Sequence, residues 1–465
     1  MEKLPPRPPS TSQVAQARMN LKNILIFLFF VLIVFLRFYQ VPQGFIFDID
    51  TEYQAFLAKT IIKDFHIIWV GVSAGSIGYY LGPGLVYLTA FLLFISKGDP
   101  LSLAYFSALV GTVTLLSLFF VTKKIFGNKV AYIAGVFYGF SAFIIYYDRK
   151  YWPIFIPLVG IWLFYSLIKA RKDTLWLILS AVLIGISFHV HLTLLIFFVP
   201  FFYTVFRKRK KIKSGTWILI SFSYLVTTSP LLVFDFVHNF DNLLTPLKFI
   251  KNIGQTPGSF NLHLNPFLFG LNKIVFIDSP KYRFANIIIT LFSILIMAKL
   301  TVAKKNYPGK LLFAIVALFS FLFCLYPGKI QEYYLVLLFP FWSMAAGLLL
   351  KKLKKNYLCI LLSVFILTNL YSYFSQDNPH GLSTKKKFVE ETSRRLNEDY
   401  YLSFGNDVDY EGWRYLFETY GKKPAQSQAD GMFGWTYHDE ISKTPPIYKL
   451  VIFSKQGVYK ANIYR

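Results

Sequence analysis

One apolar run follows another along this chain, most of them near twenty residues long, and the links between them are short and rich in Lys and Arg. Backbone in hydrocarbon must satisfy its own polar groups, and roughly 20 residues of α-helix cross an apolar layer of roughly 30 Å. The pattern therefore dictates a bundle of membrane-crossing helices and excludes a soluble globular chain. Only 16% of the 465 residues are charged, against about 25% in soluble domains. The 49 Lys+Arg against 24 Asp+Glu leave a formal charge of +25, but the cations sit in the links, so the charge reports topology and no nucleic-acid partner. Both cysteines, Cys324 and Cys359, fall inside apolar runs, which excludes a disulfide framework and a Cys-based metal site.

Residues 1–20 are polar, Pro-rich and basic, and the run from Leu21 to Tyr39 has no internal charge before Arg37. This reads as a cytoplasmic tail and an uncleaved first span, because VPQGFIFD offers no small-residue cleavage site. The basic clusters at 123–129, 169–173, 207–213, 304–310 and 351–355 go to the cytoplasm by the positive-inside rule. Each pair must then be separated by an even number of crossings. Between Val41 and Lys123 one crossing is permitted, yet there are two runs, 79–95 and 101–121. The first opens with YYLGPG, and its Gly82, Pro83 and Gly84 make it the one expected to lie along or dip into the outer face. Thr174 to Phe206 is too long for one span and short for two, and is expected to be a tight hairpin turning near His189 and His191. The other spans are 130–147, 152–168, 215–234, 284–301, 311–327, 333–350 and 356–374, for about eleven passes in all.

The expected fold class is an all-α polytopic membrane protein with interfacial helices and a small extracytoplasmic α/β domain. Residues 21–375 form the transmembrane body with outer loops 40–78 and 235–283, and residues 376–465 form the outer module. In that tail KKKFVEETSRRLNE and GWRYLFETYG have helical periodicity, and YYLSFG and YKLVIFS have strand patterns. The expected location is the cytoplasmic (inner) membrane, with the N-terminus inside and the C-terminus outside. No internal repeat is evident, which argues against inverted-repeat transporter folds.

Chemistry-bearing residues gather at the outer boundary. FIFDIDTEY places Asp48, Asp50 and Glu52 within five residues just after the first span. Such carboxylates serve as a general base or as metal ligands, or they cap a helix N-terminus. YYDRKYWP brings Asp148, Arg149, Lys150 and Trp152 to the same face. A cation pair is the usual partner of a phosphate, and snorkelling charges in an aromatic belt are the alternative. His189 and His191, spaced i, i+2, do not share a helical face, although a turn can present both. Tyr80 and the late segment YPGKIQEYYLVLLFP, with Lys329, Glu332, Tyr333 and Tyr334, add candidates for phosphate or sugar contact. There is no Walker loop, no GxGxxG after a strand, no HExxH and no GxSxG, which argues against a nucleotide-driven cytoplasmic mechanism.

The order of an acidic first outer loop, the element Asp148 to Pro153, the hairpin HVHLT and the late YYLVLLFP resembles the GT-C glycosyltransferases. It is most similar to the family that holds the protein O-mannosyltransferases and the bacterial lipid A aminoarabinose transferase. FDIDTEY matches the family's first loop loosely, and His191 falls at a matching His with Leu192 in place of Pro. The usual polar residue beside Gly82 and Pro83 is missing, and the Asp148 to Pro153 element lacks its Asn. The resemblance implies inverting transfer of a sugar from a polyprenyl-phosphate donor to a protein, lipid or glycan acceptor outside the cytoplasm. It implies Asp50 or Asp48 as general base, with Asp50 favoured because the family aspartate precedes the loop's Tyr by a few residues. Arg149 with Lys150 would then stabilise the departing phosphate. Asp148, Glu52, Trp152, His191, His189, Tyr80, Lys329 and Tyr333 would contact donor or acceptor, and an apolar groove at Gly82 and Gly84 would hold the prenyl chain. No cofactor is required, and a divalent metal on Asp48, Asp50 and Asp148 stays open. The alternatives are a transporter or flippase for a lipid-linked anion and a non-catalytic membrane partner protein.

Overall fold

The computed structural model describes residues 27–73, 78–254, 307–326, 331–375, 378–405, 412–455 and 458–465, with isolated residues 24, 291, 295 and 298. Helix α1 (Phe27–Phe38) exposes Phe27, Val31 and Phe35 and buries Ile33 and Leu36, as one face in lipid and one in protein require. Helix α2 (Ile49–Asp64) is the most polar of the early helices. Helix α3 (Gly84–Ile95) starts behind Pro83 and has 12 residues, a length of roughly 18 Å that does not cross a bilayer. Helix α4 (Leu101–Phe126) has 26 and does. Of these two runs the second is the one long and apolar enough to cross a membrane, and the first is broken at its start by Gly82, Pro83 and Gly84.

Helices α5 (Asn128–Phe140) and α6 (Ala142–Tyr147) are one apolar run divided at Ser141. The Ser141 hydroxyl accepts from Ile144 N at 3.3 Å, and the Asn369 side chain accepts from Ala142 N at 3.0 Å, so both freed donors at the break are satisfied. Helix α7 (Phe155–Ala170) leads to α8 (Trp176–Val190). His191, with an extended φ of −171°, a 3₁₀ turn (Leu192–Phe197) and α9 (Phe198–Lys208) follow. Lys208 donates to the Arg171 carbonyl at 2.6 Å, which puts the two ends of this hairpin at one level and His191 at the other. Helices α10 (Ser214–Val237), α11 (Asp241–Gly254) and α12 (Tyr307–Cys324) come next. A 3₁₀ turn (Glu332–Leu337), α13 (Leu338–Leu350) and α14 (Lys355–Ser375) complete the bundle. Of the expected span at 284–301 the structure describes residues 291, 295 and 298, each of them helical.

Tight packing in a lipid setting relies on small residues at crossings. A side chain at Gly347 would come within 2.7 Å of the Val130 carbonyl, so α13 and α5 touch backbone to backbone there. The basic links share one end of the bundle: Lys129 donates to Leu353 O at 3.3 Å, and Arg171 stacks over Tyr307 at 4.1 Å. Asp48, Asp148, His191 and Tyr333 lie at the opposite end.

Residues 382–464 fold on that opposite end as a small α/β unit. It comprises α15 (Leu382–Ser393), β1 (Tyr400–Phe404), α16 (Trp413–Tyr420), β2 (Gln426–Ser427), β3 (Tyr448–Lys455) and β4 (Val458–Tyr464). The sheet order is β2-β1-β3-β4, with β1 parallel to both neighbours and β3 antiparallel to β4. The two helical and two strand patterns of the tail correspond to α15, α16, β1 and β3. A second hydrophobic core, holding Phe45, Phe47, Phe56, Tyr151, Trp413 and Leu450, joins this unit to the bundle.

Candidate active site

Asp48 is the N-cap of α2. Its carboxylate accepts from Thr51 N at 3.0 Å and Thr51 Oγ1 at 2.7 Å, which fixes where the helix starts. Asp50 then falls in the first turn, and its exposed side chain faces a cavity. Its pKa is raised to about 6: loss of surrounding water is the largest cause, the Asp48 carboxylate adds to it, and the Lys150 ammonium pulls the other way. A carboxyl tuned upward in a cleft is suited to proton transfer near neutral pH.

The cavity has a volume of about 350 Å³. Its polar end is Asp50, Trp152, His191, Tyr333 and Tyr334. The Trp152 ring lies 5.3 Å from His191 and 4.8 Å from Tyr333, and His191 lies 5.6 Å from Tyr334, so four rings wall the space in front of Asp50. His191 Nδ1 accepts from Thr193 N at 3.2 Å. That bond requires an unprotonated Nδ1 and leaves the neutral ring's proton on Nε2. Nε2 has no hydrogen-bond partner among the described residues and is available to a ligand. The remaining lining is aliphatic and aromatic, and includes Val199 on α9 and Leu322 on α12, 57% and 47% exposed. Leu322 lies on α12, which is long and apolar enough to cross a membrane, and Val199 on the short helix α9 continues the exposed apolar rim, so the apolar side of the cavity opens at the outer surface of the bundle.

Other candidates from the sequence sit elsewhere. Asp148 makes a 2.7 Å ion pair with Arg37, both inside the bundle. The Arg149 guanidinium donates to the carbonyls of Leu36 and Tyr39, at 3.2 and 2.5 Å, and to the Tyr373 hydroxyl, and it borders a separate recess with Gln40, Gln43 and Asn378. Lys150, by contrast, is close enough to Asp50 to act on its charge. It is partly exposed, sits over the rings of Tyr146 and Tyr147 at 5.0 and 5.3 Å, and has no carboxylate partner among the described residues. His189 is a structural brace: Nδ1 accepts from Gly84 N at 3.1 Å, and Nε2 donates to Thr227 O at 2.6 Å. The His189 ring lies against Gly82, 2.3 Å from where a Cβ would stand, and against Gly84 at 3.1 Å, so the space these two glycines leave is taken by His189. Tyr80 borders a second cleft, beyond the cavity. Lys329 lies outside the described residues. Asp48, Asp50 and Asp148 do not converge as a ligand set, and among the described residues no three His, Cys, Asp or Glu side chains are grouped to hold a metal ion.

Glu52 is fully buried and points away from the cavity, accepting from Tyr415 N at 2.8 Å in the first turn of α16. Lys385 of α15 donates to Phe47 O at 3.0 Å and Leu382 N to Phe45 O at 2.8 Å. The segment carrying Asp50 is thus held on both sides by the C-terminal unit. Glu52→Ala leaves a buried N–H without its acceptor, and melting of the purified protein should register a loss of about 1–3 kcal/mol. Glu52→Gln, which keeps a carbonyl oxygen, should lose less.

Tyr334, a candidate in the sequence beside Tyr333, lines the cavity as well. Arg37 stands out in the sequence only as the lone charge of its run, and Tyr373 and Asn369 carry no local signal.

The chain as a whole superposes on the crystal structure of ArnT from Cupriavidus metallidurans bound to undecaprenyl phosphate, with a TM-score of 0.61 at 12% identity, covering 94% of this chain and 98% of that one. Its fold is the GT-C fold of the PMT and ArnT type. The apo structure of the same ArnT gives a TM-score of 0.58 at 12% identity, covering 93% of each chain. A family model described as dolichyl-phosphate-mannose-protein mannosyltransferase matches residues 81–234, the stretch of the GT-C body that contains Lys150, Trp152 and His191. No curated protein matches the sequence.

Proposed function

We propose that the protein transfers a sugar from a polyprenyl-phosphate donor to an acceptor hydroxyl on the extracytoplasmic side, with inversion. The observation that carries this reading is the form of the Asp50 cavity: a polar, ring-walled head with a titratable carboxylate, open laterally to lipid. A volume near 350 Å³ suits a sugar ring and the start of an isoprenoid, and the rest of the chain can leave between Val199 and Leu322 into the bilayer. The fold likeness to ArnT, which was crystallised with undecaprenyl phosphate, supports the same donor class.

In the reaction the acceptor oxygen attacks the anomeric carbon, its proton passes to the Asp50 carboxylate, and the bond from carbon to phosphate oxygen breaks with its electron pair on the phosphate. Lys150 neutralises that leaving phosphate, while Arg149, fixed on backbone carbonyls, holds the turn that presents Lys150. His191 Nε2–H donates to a ring hydroxyl and Trp152 covers an apolar sugar face. Positioning and charge neutralisation supply most of the acceleration, since a phosphodiester is already a fair leaving group.

The test is reconstitution in vesicles with a synthetic polyprenyl-phosphate sugar. Release of polyprenyl phosphate is the expected result, and movement of intact donor between leaflets without cleavage would instead mark a flippase. Because the base works deprotonated, kcat/KM should rise with pH through about 6 and then level. Lys150→Met removes a cation that holds the Asp50 pKa down, so the inflection should move to higher pH while the donor KM increases.

A further inference from the structure

A second cleft of about 610 Å³ adjoins the Asp50 cavity, built from the outward face of α2, the strand-like ribbon at residues 71–73 and 80–81, and residues 435–440 of the C-terminal unit. The ribbon is the wall between the two spaces. Gly71 N donates to Leu81 O at 2.6 Å and Leu81 N to Val72 O at 3.0 Å, and in such extended pairs successive side chains face opposite ways. Gly71 and Tyr80 accordingly border the cleft, and Val72 and Leu81 border the cavity. Helix α2 passes the edge of this wall with Asp50 in the cavity and Tyr53, one turn on, in the cleft.

We infer that this cleft is the acceptor subsite and that it takes an uncharged carbohydrate, an assignment that rests on the transfer reaction proposed above. Three large rings are presented to it with unusual exposure, Trp435 at 62%, Trp69 at 44% and Tyr80 at 39%. Tyr53 is held as a fourth, stacked on Phe433 at 5.2 Å and edge-on to Trp435 at 6.2 Å. Exposed apolar surface gathered in one concavity marks a binding site. The negative face of an aromatic ring attracts the C–H face of a pyranose, and neighbouring carboxylates take the hydroxyls. Asp64 and Asp439 supply those acceptors, Asp439 with one oxygen 2.8 Å from His438 Nε2. The cleft has no surplus of cations for a phosphorylated headgroup: Lys59 is 2.7 Å from Glu440 and is also bonded to Glu418, and Lys63 is 3.5 Å from Glu440. Peptide recognition relies on an open strand edge or an apolar groove, and here ring faces alternate with carboxylates instead. The C-terminal unit therefore does more than brace the catalytic segment; it contributes one side of the acceptor subsite.

The test uses the full-length protein in nanodiscs with the synthetic donor and three acceptors: neutral mannotriose and chitotriose together, a Ser/Thr peptide, and a phosphorylated glycolipid. Transfer to the neutral saccharides is expected. Trp435→Ala, at an exposed position, should raise the saccharide KM about tenfold with kcat within about twofold, and Trp435→Phe should recover most of the loss. Transfer only to peptide or phosphorylated lipid, transfer to none of the three, or an unchanged saccharide KM in Trp435→Ala would each overturn the assignment. Cleavage of donor by water, measured in the unmodified protein without acceptor, needs only the Asp50 cavity. Absence of both this hydrolysis and transfer to any of the three acceptors defeats the transfer reaction itself, and donor cleavage without saccharide transfer defeats only the acceptor subsite.

Discussion

Asp50→Asn lowers kcat for sugar transfer by about 10²–10⁴, the range a positioned general base contributes, while Asp48→Asn leaves most of the activity in place. The two carboxylates are two residues apart and chemically identical, so the difference comes entirely from location. Asp48 spends its oxygen on Thr51 N and Oγ1, and Asn caps a helix as well as Asp does, so the substitution is stable; Asp48→Ala should cost about 1 kcal/mol of stability. Asp50, with a pKa of about 6, faces the ring-walled cavity, and the substitution removes the one carboxylate among the described residues that line it. A second readout comes from the charge that Asp48 places beside Asp50. Removing it lowers the Asp50 pKa, so in Asp48→Asn the rise of kcat/KM with pH should begin at lower pH than in the unmodified protein. Release of polyprenyl phosphate, followed across pH for both variants, makes the comparison. Full activity in Asp50→Asn would remove the carboxylate from the mechanism, whatever Asp48 does.

What could be read from the sequence, and what could not, divides by range. Placement of the basic links at one end followed from charge alone, and the contact from Lys208 to Arg171 shows why counting crossings between them forced a hairpin at His191. The run Asp48, Asp50, Glu52 identified the segment but not the roles. Once a cap is assigned to Asp48, helical geometry decides the rest, since residues two apart are turned by about 200°; Asp50 and Glu52 must face opposite ways, one to the cavity and one to α16. Arg149 and Lys150 were inseparable as neighbours because their roles depend on the end of α1 and on Tyr373, more than 200 positions away in the chain. The second cleft was beyond reach for the same reason. Tyr53, Trp69, Tyr80 and Trp435 show no common periodicity, and only docking of the C-terminal unit brings them together. Local rules thus identify which residues are exceptional, and the tertiary arrangement determines which of them share a space.

Asp148→Ala is expected to be the most destabilising single change at this end of the bundle. It leaves the Arg37 guanidinium, 0% exposed, without its carboxylate at 2.7 Å, and breaking a buried pair from one side typically costs about 3–5 kcal/mol. The carbonyls of Ile33, Gly139 and Tyr138, at 3.3, 3.3 and 3.4 Å from Arg37, supply dipoles but no compensating charge. Gly111 shows that the site is shaped for this pair, because a side chain there would come within 2.8 Å of Asp148 Cβ. The double variant Arg37→Met, Asp148→Leu removes both charges and keeps most of the volume, so it should melt near or above the unmodified protein, as replaced buried pairs often do. Measured together, melting and donor cleavage separate two roles for Asp148. If it only fastens α1 to the turn that carries Lys150, the double variant regains both stability and activity. A double variant that is stable yet unable to cleave donor would show that one member of the pair acts on the substrate, and that the ion pair is a resting arrangement of a group the reaction uses.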